Sequence, residues 1–140
     1  MASNIVDNLN DKQKQSVSLG GGINALILAG AGSGKTRVLT HRIHYLVSEK
    51  NVHVDNILAV TFTNKAANEM KERLTDLLRR PIGRMWVGTF HSIAHRILRS
   101  HAIEANLSPN FQILDSQDQF RIIKRIMKEN SIDEAKFPVR

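Results

Sequence analysis

The sequence predicts an α/β fold in which a parallel sheet with flanking helices runs into an all-helical stretch, and three observations predict it. Short apolar runs at 25–29, 57–62 and 85–89 have the length and composition of buried strands. Each is followed by a segment whose apolar residues recur at helical spacing, and strands alternating with helices need crossovers and hence parallel pairing. After Phe90 the strand signals stop and helical patterns continue alone.

Taken in order, Asn10 opens a short polar helix as an N-cap, with Gln13 three residues on as in a capping box. Gly20-Gly21-Gly22 is a turn, and Ala25-Leu26-Ile27-Leu28-Ala29 is the first strand. From Lys35 to about Ser48, Leu39, Ile43, Leu46 and Val47 mark a helix face. Ile57–Phe62 is the second strand, and the helix from about Lys65 to Arg79 carries Ala66, Met70, Leu74, Leu77 and Leu78 on one stripe before Pro81 and Gly83 stop it. Met85–Thr89 is the third strand. Phe90, Ile93, Ala94, Ile97 and Leu98 form the next helical face, and Asp115 or Ser116 caps a last helix carrying Phe120, Ile123, Ile126 and Met127. The change of pattern divides the chain into 1–89 and 90–140.

At 140 residues, with 41% hydrophobic and 24% charged residues, the chain has the composition of one ordinary globular domain. The absence of Cys excludes disulfides and thiolate metal sites. No apolar run approaches the roughly 20 residues of a membrane-spanning helix, and the first twenty residues lack the basic and apolar regions of a secretory leader. These features predict a soluble, intracellular protein that does not use a membrane. The net charge of +7 is localised: seven Lys or Arg face two acids between Lys71 and His101, while bases and acids cancel from Ala102 onward. A basic excess in one segment suits a polyanionic partner meeting one face, although solvated helix surfaces give the same pattern.

The strongest motif is Ala29-Gly30-Ala31-Gly32-Ser33-Gly34-Lys35-Thr36, a P-loop with Ala29 in the first glycine position. Glycines let the backbone turn tightly and aim successive N–H groups at one point, where the positive end of the following helix also faces. Lys35 reaches the β- and γ-phosphates and Thr36 offers its hydroxyl to Mg²⁺, which makes these two the predicted catalytic residues and ATP with Mg²⁺ the predicted cofactors. Hydrolysis also needs an acidic Mg²⁺ site and a residue to position water. Asp115 follows only a short apolar run and reads as a helix cap instead.

Thr61-Phe62-Thr63-Asn64-Lys65 ends the second strand, and Thr89-Phe90-His91-Ser92 repeats the arrangement at the third. Hydroxyls, an amide, a base and a ring at a helix start suit a phosphodiester backbone and a stacked base. A core phenylalanine with helix-capping Thr and Asn accounts for the first cluster equally well.

Together these motifs resemble the UvrD/PcrA/Rep group of superfamily 1 DNA helicases. Leu9–Gln13 is similar to that family's Q motif, Ala29–Thr36 to motif I, Ala59–Ala67 to motif Ia and Trp86–His91 to the next DNA-contacting motif, with Phe111–Asp115 also alike. The resemblance implies a partial RecA-like P-loop NTPase domain over 1–89 and the start of a helical insertion over 90–140. It implies that Gln13 and Arg37 contact adenine, that Ala29 to Thr36 hold the phosphates, and that Phe62, Thr63, Asn64, Thr89 and His91 touch single-stranded DNA. It further implies 3′→5′ unwinding driven by ATP in bacterial DNA repair, in the cytoplasm, on single-stranded DNA and single-strand/duplex junctions, with repair proteins as partners. The family's acidic motif, arginine finger and second motor domain would lie beyond Arg140, so the expectation is an amino-terminal piece that does not itself hydrolyse ATP. Two other classes compete: a nucleotide- and DNA-binding module without turnover, and a small P-loop kinase, for which nothing marks an acceptor pocket.

Overall fold

The computed structural model describes residues 6–139, so the leader reading over the first twenty residues begins outside the described range. The chain forms two compact units, Met1–Leu98 and Arg99–Arg140. In order, the elements are α1 (Asp11–Val17), α2 (Lys35–Ser48), a short 3₁₀ turn (Val54–Asn56), β1 (Leu58–Thr61), α3 (Asn64–Leu78), β2 (Trp86–Thr89), α4 (Phe90–Ser100) and α5 (Ser116–Glu129). β1 and β2 pair in parallel, Leu58 against Trp86 through Thr61 against Thr89, and α3 makes the crossover that parallel pairing requires.

The core of the first unit lies between this sheet and two helices. Ile43 and Val47 from α2, Met70 and Leu74 from α3, and Ile57, Ala59, Met85 and Val87 from the strands and their approaches are buried together. α3 ends at Leu78 with Arg79 in the left-handed region (φ 50°) ahead of Pro81. β2 passes directly into α4, and Gly88 permits it: a Cβ there would stand 2.5 Å from Ser92 Oγ and 3.3 Å from Ile93 Cδ1. A smaller cluster, Leu9, Val17 and Val38, packs α1 onto α2.

Three expectations need correction. Ala25–Ala29 is not a strand: it has no ladder partner, and Leu26 and Leu28 are 82% and 85% exposed. A strand exists only when a neighbour takes its N–H and C=O groups, and the sheet among the described residues is β1 with β2 alone. On α2 the buried positions are Val38, Thr40, Ile43 and Val47, while Leu39 is exposed. α1 covers the flank that holds Val38, and Thr40 is buried at no polar cost because its Oγ1 donates within 3.1 Å of the Thr36 and Arg37 carbonyls. The apolar faces of the last two helices are also less covered than their periodicity suggests. Ile93 is the buried residue of α4 and Met127 that of α5, with Phe120, Ile123 and Ile126 exposed.

The second unit is held by local contacts. Asp115 caps α5 as expected, accepting from the Asp118 N–H at 2.7 Å. Arg99 lies 5.5 Å from the Phe111 ring centre, and Lys124 pairs with Glu134 at 2.6 Å. None of the described helices is long and apolar enough to cross a membrane.

Candidate nucleotide site and the neighbouring strand ends

α1 presents Gln13. Asn10 Oδ1 accepts from the Gln13 N–H at 2.9 Å, and Gln13 Oε1 accepts from the Asn10 N–H at 3.1 Å, which completes the capping box. The amide's other end donates to the Ser33 carbonyl at 3.1 Å. At the far end of α1, Arg42 of α2 donates to the carbonyls of Val17 (2.8 Å), Leu19 and Gly20 (3.3 Å). The helix is therefore fixed at both ends against the segment that carries the phosphate loop. Sequence reasoning missed Arg42, because the carbonyls it gathers belong to a chain turn more than twenty residues away.

The loop itself is compact. Gly32 and Gly34 occupy the left-handed region at φ 74° and 87°, conformations that glycine adopts without penalty. Ser33 Oγ donates to the Gly30 carbonyl at 2.7 Å, and Val38 N–H to the Gly34 carbonyl at 2.9 Å as α2 begins. Lys35 Nζ folds back to the carbonyls of Ala29 (2.8 Å) and Gly30 (2.6 Å). Gly34 caps α2 without a side chain, so the free N–H groups of the first turn and the positive helix end face the loop.

These residues fit a triphosphate. A Cβ built at Gly30 or Gly32 would meet nothing within 4 Å, so the backbone faces open space where phosphate oxygens could approach. Phosphate oxygens are stronger acceptors for an ammonium than neutral carbonyls. Thr36 and Arg37 stand exposed on the first turn of α2. Beside the loop lies a cavity of about 440 Å³ whose wall includes Gln13, Ile27, Leu28, Ala29, Ser33 and Lys35. Gln13, Ser33 and Lys35 thus converge on one place, with apolar walls of the kind that take a base.

The carboxyl ends of β1 and β2 carry the other residues that the sequence singles out. α2 and α3 pack along each other, and Val47 near the end of α2 shares a cavity wall with Arg80 just past α3. Both helices therefore finish at one end of the unit and start at the other, which puts the phosphate loop and the carboxyl ends of β1 and β2 on the same side. There Phe62, 87% exposed, meets Phe90 with ring centres 5.3 Å apart at 47°. Thr63 caps α3 by accepting from the Ala66 N–H at 3.2 Å, and Asn64 and His91 are exposed. Thr89 is different: it is 6% exposed, and its hydroxyl is engaged with the Ser92 hydroxyl and N–H at 3.1 and 3.2 Å. Phe90 had a readable signal, since Thr-Phe recurs at both strand ends.

Among the described residues no group of three or more His, Cys, Asp and Glu is placed to hold a metal ion. One imidazole is perturbed. His44 on α2 has its Nδ1 buried without a hydrogen-bond partner, and burial, reinforced by nearby His41, holds its pKa below the ordinary imidazole value against an opposing pull from Glu49.

The first unit is thus a mixed helix and strand unit with a glycine loop and a lysine at a helix start. The family can be stated: residues 9–140 match the model of the UvrD/REP helicase N-terminal domain, and the chain belongs to that family. It is 54% identical over 138 residues to DNA helicase II of Escherichia coli (strain K12), a match covering 99% of this chain and 19% of the relative. It is 54% identical over 140 residues to DNA helicase II of Haemophilus influenzae, covering 97% and 19%. Against the ATP-dependent DNA helicase PcrA of Bacillus subtilis the identity is 49% over 140 residues, covering 100% and 19%. The chain thus spans about a fifth of the length of these relatives.

Proposed function

We propose that this chain is the nucleotide-gripping part of an ATP-dependent 3′→5′ DNA helicase that works in bacterial DNA repair, in the cytoplasm. Residues 1–89 are the beginning of a RecA-like motor domain, and residues 90–140 open a helical insertion. ATP with Mg²⁺ sits at Ala29 to Thr36, with Lys35 on the β- and γ-phosphates and the Thr36 hydroxyl toward the metal. Gln13 and Arg37 meet the adenine. Mg²⁺ would supply charge neutralisation on the phosphates; the chain's own part is to bind and orient them.

Single-stranded DNA, and the strand leaving a duplex junction, lies across Phe62, Thr63, Asn64 and His91. The exposed Phe62–Phe90 pair offers a stacking platform beside two helix starts. Thr89 serves that surface from behind, with its hydroxyl holding the start of α4.

The observation that carries the reading is the ammonium of Lys35 folded over the glycine loop at the start of α2. Lys35→Ala leaves the core untouched and removes the cation, so MgATP binding to the 140-residue chain should fall by about tenfold or more, measured by calorimetry. Unchanged affinity in a folded variant overturns the assignment.

A further inference from the structure

We infer that Gln13 is a positioning residue for the phosphate loop, acting on phosphate binding whether or not a base is present; this deepens the nucleotide-site reading above and rests on it. Both ends of its amide are engaged within the protein. Oε1 takes the Asn10 N–H at 3.1 Å, and Nε2 gives a hydrogen bond to the Ser33 carbonyl at 3.1 Å, twenty residues away in sequence. The first contact fixes which way the amide points, because the nitrogen must face the loop once the oxygen faces Asn10.

The second contact has a consequence across the peptide plane. In a planar trans peptide the carbonyl and the following N–H point in opposite directions. Holding the Ser33 carbonyl toward α1 therefore aims the Gly34 N–H away from α1, and that N–H is one of the donors a phosphate loop offers. Gly34 itself carries the mark of this contact: a Cβ there would sit 3.0 Å from Gln13 Nε2, and its φ is 87°. The brace is stiff because α1 is anchored independently, by Arg42 on the carbonyls of Val17, Leu19 and Gly20 and by Val17 packed with Leu9 and Val38. Each amide end keeps capacity for a base, one lone pair on Oε1 and one hydrogen on Nε2, so base contact and loop bracing are compatible.

The test separates phosphate from base. Affinities of the 140-residue chain for MgATP and for magnesium tripolyphosphate, which has no base, are measured by calorimetry for the unchanged protein and for Gln13→Ala, Gln13→Met and Asn10→Ala. Loss of the Ser33 contact should weaken tripolyphosphate by about three- to tenfold in both Gln13 variants, with ATP weakened at least as much. Asn10→Ala removes a cap acceptor from the same helix but leaves the Gln13 amide intact, and should stay within about twofold of the unchanged protein for tripolyphosphate. Circular dichroism and the thermal midpoint report whether each variant is folded, and Gln13→Met keeps the stem should Gln13→Ala unfold. If ATP binding falls while tripolyphosphate binding is unchanged, Gln13 reads the base alone and the inference is overturned. If Asn10→Ala weakens tripolyphosphate as much as the Gln13 variants, the effect is helix stability and the inference is again overturned. Should the unchanged protein bind neither ligand, the nucleotide-site reading itself fails, an outcome distinct from the other two.

Discussion

The segment Ala25–Ala29 is more apolar in sequence than the core strands β1 and β2, yet it is they that are buried. Ala59 and Val87 are buried between the strand pair and the helices α2 and α3. Leu26 and Leu28 face solvent, more than four-fifths exposed. The difference is in the partners. β1 has β2 to take its backbone groups and two helices to cover one face, while 25–29 has no strand beside it among the described residues. Apolar composition states that a segment can be buried; a hydrogen-bonded neighbour and a covering layer decide whether it is.

The largest test of this contrast is in the covered core. Leu74 is fully buried among Ile43, Val47, Met70 and Val87. Leu74→Ala should cost about 2–5 kcal/mol, the range for a truncated core leucine, read as a fall in the urea midpoint with an unchanged slope. A loss below about 1 kcal/mol would mean that the core collapses around the cavity and that the packing is looser than its burial indicates.

A smaller test sits on α2, which contributes to both apolar clusters. His44 holds its Nδ1 buried and unpaired, so the folded state prefers the neutral ring and its pKa lies below the unfolded value of 6.5. The sign follows from proton binding: the unfolded chain takes up the proton first as pH falls. His44's contribution is complete above about pH 6.5 and is lost as pH falls from there through the lower folded pKa. The thermal midpoint of the unchanged protein should therefore drop more steeply between about pH 7 and pH 5 than that of His44→Gln. Parallel curves would show that the ring is not felt as buried.

How much of this was legible follows the same line. Helices announced themselves through caps and periodicity: the Asn10–Gln13 box, Asp115 and the stripe through Met70 and Leu74 all stand where the sequence puts them. Local chemistry sets these features, so a local reading finds them. The tight glycine loop was legible for that reason too, since the conformations of Gly32 and Gly34 and the fold-back of Lys35 are set within one turn of chain. Most of the misses are long-range. Which flank of α2 is buried depends on α1, so Val38 and Thr40 replaced Leu39. The Gln13–Ser33 contact and the Arg42 clamp join residues about twenty apart. One is local: the Thr89 hydroxyl is engaged by Ser92, three residues on, where β2 runs straight into α4.

The smallest expected effect is the sharpest for the opening contrast. Leu26→Ala removes the same apolar groups as Leu74→Ala, but this leucine is already in water. Little area is lost on folding, so stability should change by no more than about 0.5 kcal/mol in either direction. The comparison with Leu74→Ala then has the same residue type and a several-fold difference in cost, which isolates burial from hydrophobicity. A loss of about 2 kcal/mol or more at Leu26 would require contacts that remove it from water in solution. Those contacts would have to include a neighbour for its backbone, since an extended apolar run buried without hydrogen bonds costs more than its side chains return. A large effect would therefore argue for a third strand position in this unit, whereas a negligible one confirms that the sheet of the described residues ends with β1 and β2.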